Sequence, residues 1–380
     1  MQPVNQSSQG GINKPQSAQP APRRLTVHVV QHLKPGGIEA LVLEMLRRST
    51  PRDRSIVISL EGDRASAIKA WSKLAPFSRQ LLFLDKPSGV SPSTVPKLCR
   101  LFKVLQPDVV HTHHIGPLLY AGCAARLSDV ACVIHTEHDG WHFDNRKRAR
   151  LQSLALNVVK PRLVADAQFV AKQLSKRFEY TDLSVIKNGV DCERFKPASQ
   201  ALARQRLGLP LNQILVGCAG RLEFVKGHDV LIHALAKLDP QIHLAIAGIG
   251  SQLDNLQELA QSLGVADRIH WLGLIDDMPR FYQSLDLFCL PSRNEGLPLS
   301  TLEAQACGIT SIATHVGAVS ETLCPSSSIL VAKENPQALA QAIDTVQKRQ
   351  TPASPRDFVS RNNDLKQMMD TYKQLAMESI

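Results

Sequence analysis

Two α/β domains in tandem, each a parallel sheet covered by helices on both faces, are what this chain of 380 residues predicts. Three observations carry the prediction. Short β-branched runs alternate with amphipathic stretches, the pattern left by strand–helix–strand crossovers. The alternation breaks once, at NGVDCERFKPASQALARQRLG, and then restarts. The composition, 43% hydrophobic and 21% charged with 21 Gly and 23 Pro, is that of a globular chain, and its length suits about two domains.

Taken in order, residues 1–22 are rich in Ser, Gln, Pro and Gly and read as a disordered tail without the apolar stretch of a secretory signal. The first domain, 24–195, holds seven expected strands: LTVHVVQ (25–31), SIVISL (55–60), QLLFL (80–84), DVVHTH (108–113), ACVIHT (131–136), RLVA (162–165) and LSVIK (183–187). The second, 199–350, holds six: QILVGCAG (213–220), IHLAIAG (242–248), RIHWLG (268–273), DLFCLP (286–291), ITSIAT (309–314) and SILVA (328–332). Helices are expected between them near 227–238, 251–263, 298–307 and 335–348, and a final helix or helix pair at 355–378. In open parallel sheets ligands bind beyond the carboxyl ends of the strands, so two such domains face each other across a cleft that holds the site.

No uncharged apolar run reaches the roughly 18–20 residues of a spanning helix. The eight cysteines include no C-x-x-C pair, and most sit in apolar runs, which suits reduced structural thiols in a soluble, cytoplasmic protein. Charge is uneven. Residues 1–198 carry 29 Lys and Arg against 16 Asp and Glu, whereas 199–380 carry 15 against 18. A basic first half suggests an anionic partner, with membrane surface, nucleic acid and a phosphorylated substrate as candidates. Lys97, Arg100 and Lys103 lie among Leu98, Leu101, Phe102 and Leu105, and Arg146, Lys147, Arg148 and Arg150 form a second cluster. Either could meet anionic lipid, or simply solvate a packed helix.

Four constellations could carry chemistry. PSRNEGLPLSTLEAQACG (291–308) follows a strand; Pro298 suits the first turn of a helix and Gly308 its stop. The amides of Leu297, Leu299 and Ser300 then face the cleft as an anion site, flanked by Glu295, Gly296 and Glu303. The alternative is a loop charge and a helical surface carboxylate. In GRLEFVKG, Arg221 and Lys226 follow a strand end and would neutralise a diphosphate. In KPGGIE, Gly36 and Gly37 permit a close backbone approach to a ligand or a plain tight turn. HTHH (111–114) and HTEHD (135–139) place histidines at strand ends, with His138 the best functional candidate and buried or capping roles the alternative. Asp-x-Asp, H-E-x-x-H and C-x-x-C are absent from the sequence, so no metal and no dedicated cofactor are expected.

These residues resemble those of the retaining GT-B glycosyltransferases of family 4, over nearly all of 24–345. GRLEFVKG is similar to the family's donor-phosphate loop, EGLPLSTLEA to its E-x7-E element (Glu295 and Glu303), VIKNGVDCERF to the segment closing the first domain, and GGIE to the N-terminal glycine loop. The resemblance implies a GT-B fold: two Rossmann-like parallel-sheet domains facing across a cleft, with the C-terminal helix packing back on the first. It implies a nucleotide-diphospho-sugar donor on the second domain and a glycan or lipid-linked acceptor on the first. Arg221 and Lys226 would neutralise the diphosphate, Glu303 would hold ribose hydroxyls, Glu295 sugar hydroxyls, and His138, in TEH, would face the donor sugar. One departure stands out. Relatives usually carry serine where this chain has Ala167, beside Asp166. HTHH and HDGWHFDNRKRAR look peculiar to a narrower subgroup serving cell-envelope or exopolysaccharide assembly, with peripheral attachment to the inner membrane face.

Two other readings compete. A sugar-nucleotide epimerase of similar build would turn over donor without acceptor. A nucleic-acid-binding protein would use the basic half, but aromatics are only 5% and no basic–aromatic interleaving occurs.

Overall fold

The alternating runs become two parallel sheets. The structure, a computed structural model, describes residues 24–140, 145–180, 182–348 and 354–378; the tail expected over 1–22 lies outside them. The first sheet comprises β1 (Arg24–Val30), β2 (Asp53–Ser59), β3 (Leu81–Phe83), β4 (Val109–His113), β5 (Cys132–Glu137), β6 (Arg162–Ala165) and β7 (Leu183–Val185), in the order β3-β2-β1-β4-β5-β6-β7. The second comprises β8 (Ile214–Ala219), β9 (Ile242–Ala247), β10 (Ile269–Gly273), β11 (Leu287–Leu290), β12 (Ser311–Thr314) and β13 (Ile329–Val331), in the order β10-β9-β8-β11-β12-β13. Every paired neighbour is parallel. Such strands are covered on both faces, which is why Val27, Val29, Val57, Ile58, Ile312 and Ala313 are wholly buried.

Strand order reverses between β1 and β4 in the first sheet and between β8 and β11 in the second. These switch points are where outgoing loops splay and leave a crevice. The loops after β1, β8 and β11 are the ones that carry GGIE, GRLEFVKG and EGLPLS. The helix expected at 298–307 runs Leu299–Ala306. Pro298 is not in its first turn but caps it in an extended conformation, while Gly308, at φ +85°, ends it as expected.

After the second sheet the chain returns through two helices, Pro355–Asn362 and Leu365–Met377. Arg356 of the first donates to the carbonyls of Cys192, Phe195 and Ala306, tying the crossing segment to both halves. The second buries Leu365, Met368, Tyr372 and Leu375 against Leu41, Met45, Val109 and Ile134 of the first domain. Each such side chain contributes roughly 1.5–3 kcal/mol, enough to fix the terminal helix on the first sheet. The fold is GT-B, with the C-terminal helix packed back on the first domain as the resemblance implies. No disulfide forms among the described residues, and six of the eight cysteines are buried. No helix among them is long and apolar enough to cross a membrane.

Candidate functional site

On the second-domain side, Gly220 directly follows β8, exposed Arg221 comes next, and a single turn, Phe224–Lys226, delivers the lysine. Lys226 Nζ lies 2.7 Å from Glu295 Oε1, which also accepts from Ser292 Oγ at 2.6 Å. The two motifs that sequence places 69 residues apart are therefore one ion-paired unit. Sequence reasoning missed the side chain that makes the lysine turn rigid. Arg293 lies with its guanidinium 3.8 Å from the Phe224 ring centroid, donates to the Phe224 carbonyl, and forks onto Asp229 at 2.7 and 2.8 Å. It pairs with Glu334 as well, and these carboxylates raise its already high pKa. Next to this turn, the buried ring of His228 has neither nitrogen bonded, and burial lowers its pKa to about 4.

The other wall comes from the first domain. Gly37 opens the helix Gly37–Arg47, and a Cβ there would sit 3.9 Å from Leu299 of the second domain. Two helix N-termini, one from each domain, thus meet across the cleft, with the Lys226–Glu295 ion pair just before the second of them. The first-turn amides of a helix have no intrahelical acceptor, so both ends favour an anion. Gly296 faces His138 so closely that a Cβ would lie 2.1 Å from the His138 carbonyl oxygen. Gly37, His138, Lys226, Glu295, Gly296, Leu297, Leu299 and Ser300 are therefore gathered at one cleft, with Arg221 exposed on the loop that bears Lys226. Glu303 sits deeper, one turn along its helix, and accepts from Tyr282 Oη at 2.7 Å. Burial raises its pKa, opposed by that hydrogen bond and by Lys73 and Arg194 across the interface.

The His138 ring turns into the first domain and not into the open cleft. Its Nδ1 is 3.1 Å from Asp166 Oδ2 and its Nε2 3.1 Å from His113 Nδ1. Asn188, in the NGVD segment, donates to the same Asp166 oxygen. Burial pushes His138 down to about 3 and raises Asp166. His113 continues to His28 at 3.3 Å, and His111 reaches Thr136, which meets the Tyr372 hydroxyl. Alternating positions on β4, with His28 on β1 and His138 just past the end of β5, produce this ladder; HTHH is its sequence trace. His114 differs: although burial opposes it, Glu137 raises its pKa.

Ala167 begins the helix Gln168–Arg177 without a capping side chain. Its cap comes from the other domain. Both carboxylate oxygens of Glu321 accept from this helix, from the amides of Gln168 at 3.0 Å and Phe169 at 2.8 Å. Ser72 Oγ meets Asp276 at 2.5 Å in a further contact between the halves.

The apolar residues noted in TVPKLCRLFKVL face inward. Leu98 and Phe102 are buried in the helix Thr94–Leu105, whereas Lys97, Arg100 and Lys103 are exposed. The exposed apolar stripe lies instead on the helix Arg146–Val159, as Leu151, Leu154 and Val158, below exposed Arg146, Lys147, Arg148 and Arg150.

Residues 199–364 match the family described as glycosyl transferases group 1, and residues 35–194 match glycosyltransferase family 4. The chain is 30% identical to D-inositol 3-phosphate glycosyltransferase of Salinispora arenicola over 88% of its own length and 86% of the relative's. It is 32% identical to the UDP-Gal:alpha-D-GlcNAc-diphosphoundecaprenol alpha-1,3-galactosyltransferase of Escherichia coli over 58% of this chain and 65% of that one. Among solved structures, Anabaena Alr3699/HepE, crystallised with UDP and glucose, superposes with a TM-score of 0.82 over 94% of this chain and all of the other, at 21% identity.

Proposed function

This chain belongs to the group 1 glycosyltransferases of family 4, and we propose that it moves a hexosyl unit, with retention, from a nucleotide-diphospho-sugar to a hydroxyl of a glycan or lipid-linked acceptor in polysaccharide or lipopolysaccharide assembly. One observation carries the reading. Two helix N-termini at facing switch points meet beside the Lys226–Glu295 ion pair, and Glu303 lies one turn along the second helix. A diphosphate flanked by two hydroxyl-rich groups has this charge pattern.

Chemistry follows from where charge develops. Departure of the nucleoside diphosphate places negative charge on phosphate oxygens while the sugar becomes oxocarbenium-like. Arg221, Lys226 and the Leu299–Ser300 amides stabilise the former in a closed, poorly hydrated cleft without a metal ion. Glu295, held by Lys226 and Ser292, is placed to orient sugar hydroxyls; Glu303 takes the ribose once Tyr282 yields. The acceptor attacks from the face the phosphate leaves, with the phosphate as base. The His138 peptide carbonyl, at contact distance from Gly296, closes the sugar pocket from the first domain.

The test is thermal stabilisation by nucleoside diphosphates and nucleotide-sugars without added metal. Uridine nucleotides come first in the panel, because a structural neighbour was crystallised with UDP. A base-specific shift is expected for the wild type and its loss for Arg221→Ala, whose side chain is exposed and supports no packing. No shift with any nucleotide would sink the donor assignment, and an inverted anomeric product by NMR would sink retention.

The acceptor side is proposed to meet an anionic bilayer. Leu151, Leu154 and Val158 are 42, 61 and 59% exposed on one stripe, with a basic cluster at the start of the same helix. Sedimentation with phosphatidylglycerol vesicles is expected to fall steeply between about 50 and 500 mM salt, as the screening length drops. It is expected to fall also on Leu154→Glu. Equal recovery with neutral vesicles would refute the charge argument.

A further inference from the structure

His28, His111 and His113 project from one face of β1 and β4, with His28 directly paired to His111 in register. One nitrogen from each ring lies within 4.8 Å of the other two, and no other group of three His, Cys, Asp or Glu among the described residues is so placed. All three rings are buried. His28 and His111 nevertheless line a cavity of about 60 Å³ between the sheet and the helices Gly37–Arg47 and Leu365–Met377. That is room for several waters and a path from the surface.

We propose that His28, His111 and His113 form a site for a transition-metal ion of the zinc type, entered from this cavity and separate from the donor phosphate site. Metal–nitrogen bonds of about 2.0–2.1 Å in a tetrahedron put ligand nitrogens roughly 3.3 Å apart. His28 Nδ1 and His113 Nε2 already stand at 3.3 Å. Closure of the third ligand takes a rotation of His111, and the cavity supplies water for the fourth position. The donor set selects the metal. Three imidazoles with no carboxylate suit Zn²⁺, Co²⁺ or Cu²⁺ and not Mg²⁺ or Ca²⁺.

The surroundings have the outer layer such a site needs. His113 Nδ1 is engaged by His138, whose other nitrogen is engaged by Asp166, so Nε2 is the atom His113 has to offer. A metal on that Nε2 leaves the proton on Nδ1. His113 then donates to His138 Nε2, and His138 Nδ1 donates to Asp166. The ion would thereby fix which way the hydrogen bonds run beneath the cleft wall and lock His138, the residue that touches Gly296 of the second domain. This goes beyond sugar transfer and does not depend on it.

The test uses the full chain after chelator dialysis, titrated with Co²⁺ and then Zn²⁺. One equivalent of Co²⁺ is expected to give the visible d–d absorption of a four-coordinate nitrogen site. Zn²⁺ should displace it, and Tm should rise by several degrees; Mg²⁺ should do neither. The double variant His28→Gln, His111→Gln is expected to lose the band. His111→Gln alone, which keeps the 3.3 Å pair, is expected to weaken Co²⁺ binding at least about tenfold. His243→Gln, in the half-buried His243–His270 pair of the second domain, is expected to leave it unchanged. No band in the wild type overturns the proposal, as does a band that survives the double variant or disappears with His243→Gln.

Discussion

Lys226→Ala is expected to lower kcat by about 100- to 1,000-fold, the usual effect of removing one group that meets charge as it develops. Lys226 is the half-buried member of the cationic pair, 20% exposed, and its partner Glu295 is only 7% exposed. A charge in that setting is screened less than one on the surface, which makes it worth more to the leaving diphosphate. The lysine also steadies Glu295, so the variant leaves a buried carboxylate with Ser292 alone. Comparing Lys226→Ala with Lys226→Ala, Glu295→Gln separates the two effects. If transition-state charge dominates, both variants lose kcat alike; if the orphaned carboxylate dominates, the second substitution restores kcat to the level that Glu295→Gln alone allows. Retention of more than about a tenth of wild-type kcat in Lys226→Ala would contradict the leaving-group role.

Gly296→Ala is expected to cost roughly 100-fold in turnover, the penalty of moving reacting groups by about an ångström. Its added methyl would stand 2.1 Å from the His138 carbonyl oxygen and 3.6 Å from the Asp139 Cβ. Neither neighbour is the tip of a flexible side chain, so the loop or the domains must shift. The three atoms nearest the added methyl all belong to the first domain. Unfolding temperature without ligand should stay near wild type, while donor-induced compaction measured by small-angle scattering should diminish. Full turnover in this variant would mean that the close approach of the two walls is not required for chemistry.

Most of the architecture was legible because it is local. Most of the strands among the described residues are β-branched or leucine-rich runs that bury both faces, and the Gly–Pro signals around 291–308 mark a strand end, a loop and a helix start. The motif residues were legible for a related reason, since the switch points place any loop following β1, β8 or β11 in the cleft. What escaped was the pairing of residues far apart in the chain. Arg293 reads as one more charge in SRN, yet it stacks on Phe224 and holds the turn that bears Lys226. Tyr282 reads as core and is the hydrogen-bond donor to Glu303. HTHH signalled strand-end histidines, but not that one face of β4 would join His28 to His138 in a continuous ladder. The amphipathic stripe in 94–105 was real, and its apolar side was claimed by the core.

The missing serine at 167 has a consequence for how the two halves stay together. A helix that carries its own cap is equally stable whether the cleft is open or shut. Here the cap is a carboxylate 153 residues away on the opposite domain, so opening would strip the Gln168 and Phe169 amides of their acceptor. A lost cap costs on the order of 1 kcal/mol, a bias of about fivefold toward the shut form before any donor arrives. The helix works as a latch whose strike plate is Glu321: local folding energy in one domain has been made conditional on the position of the other.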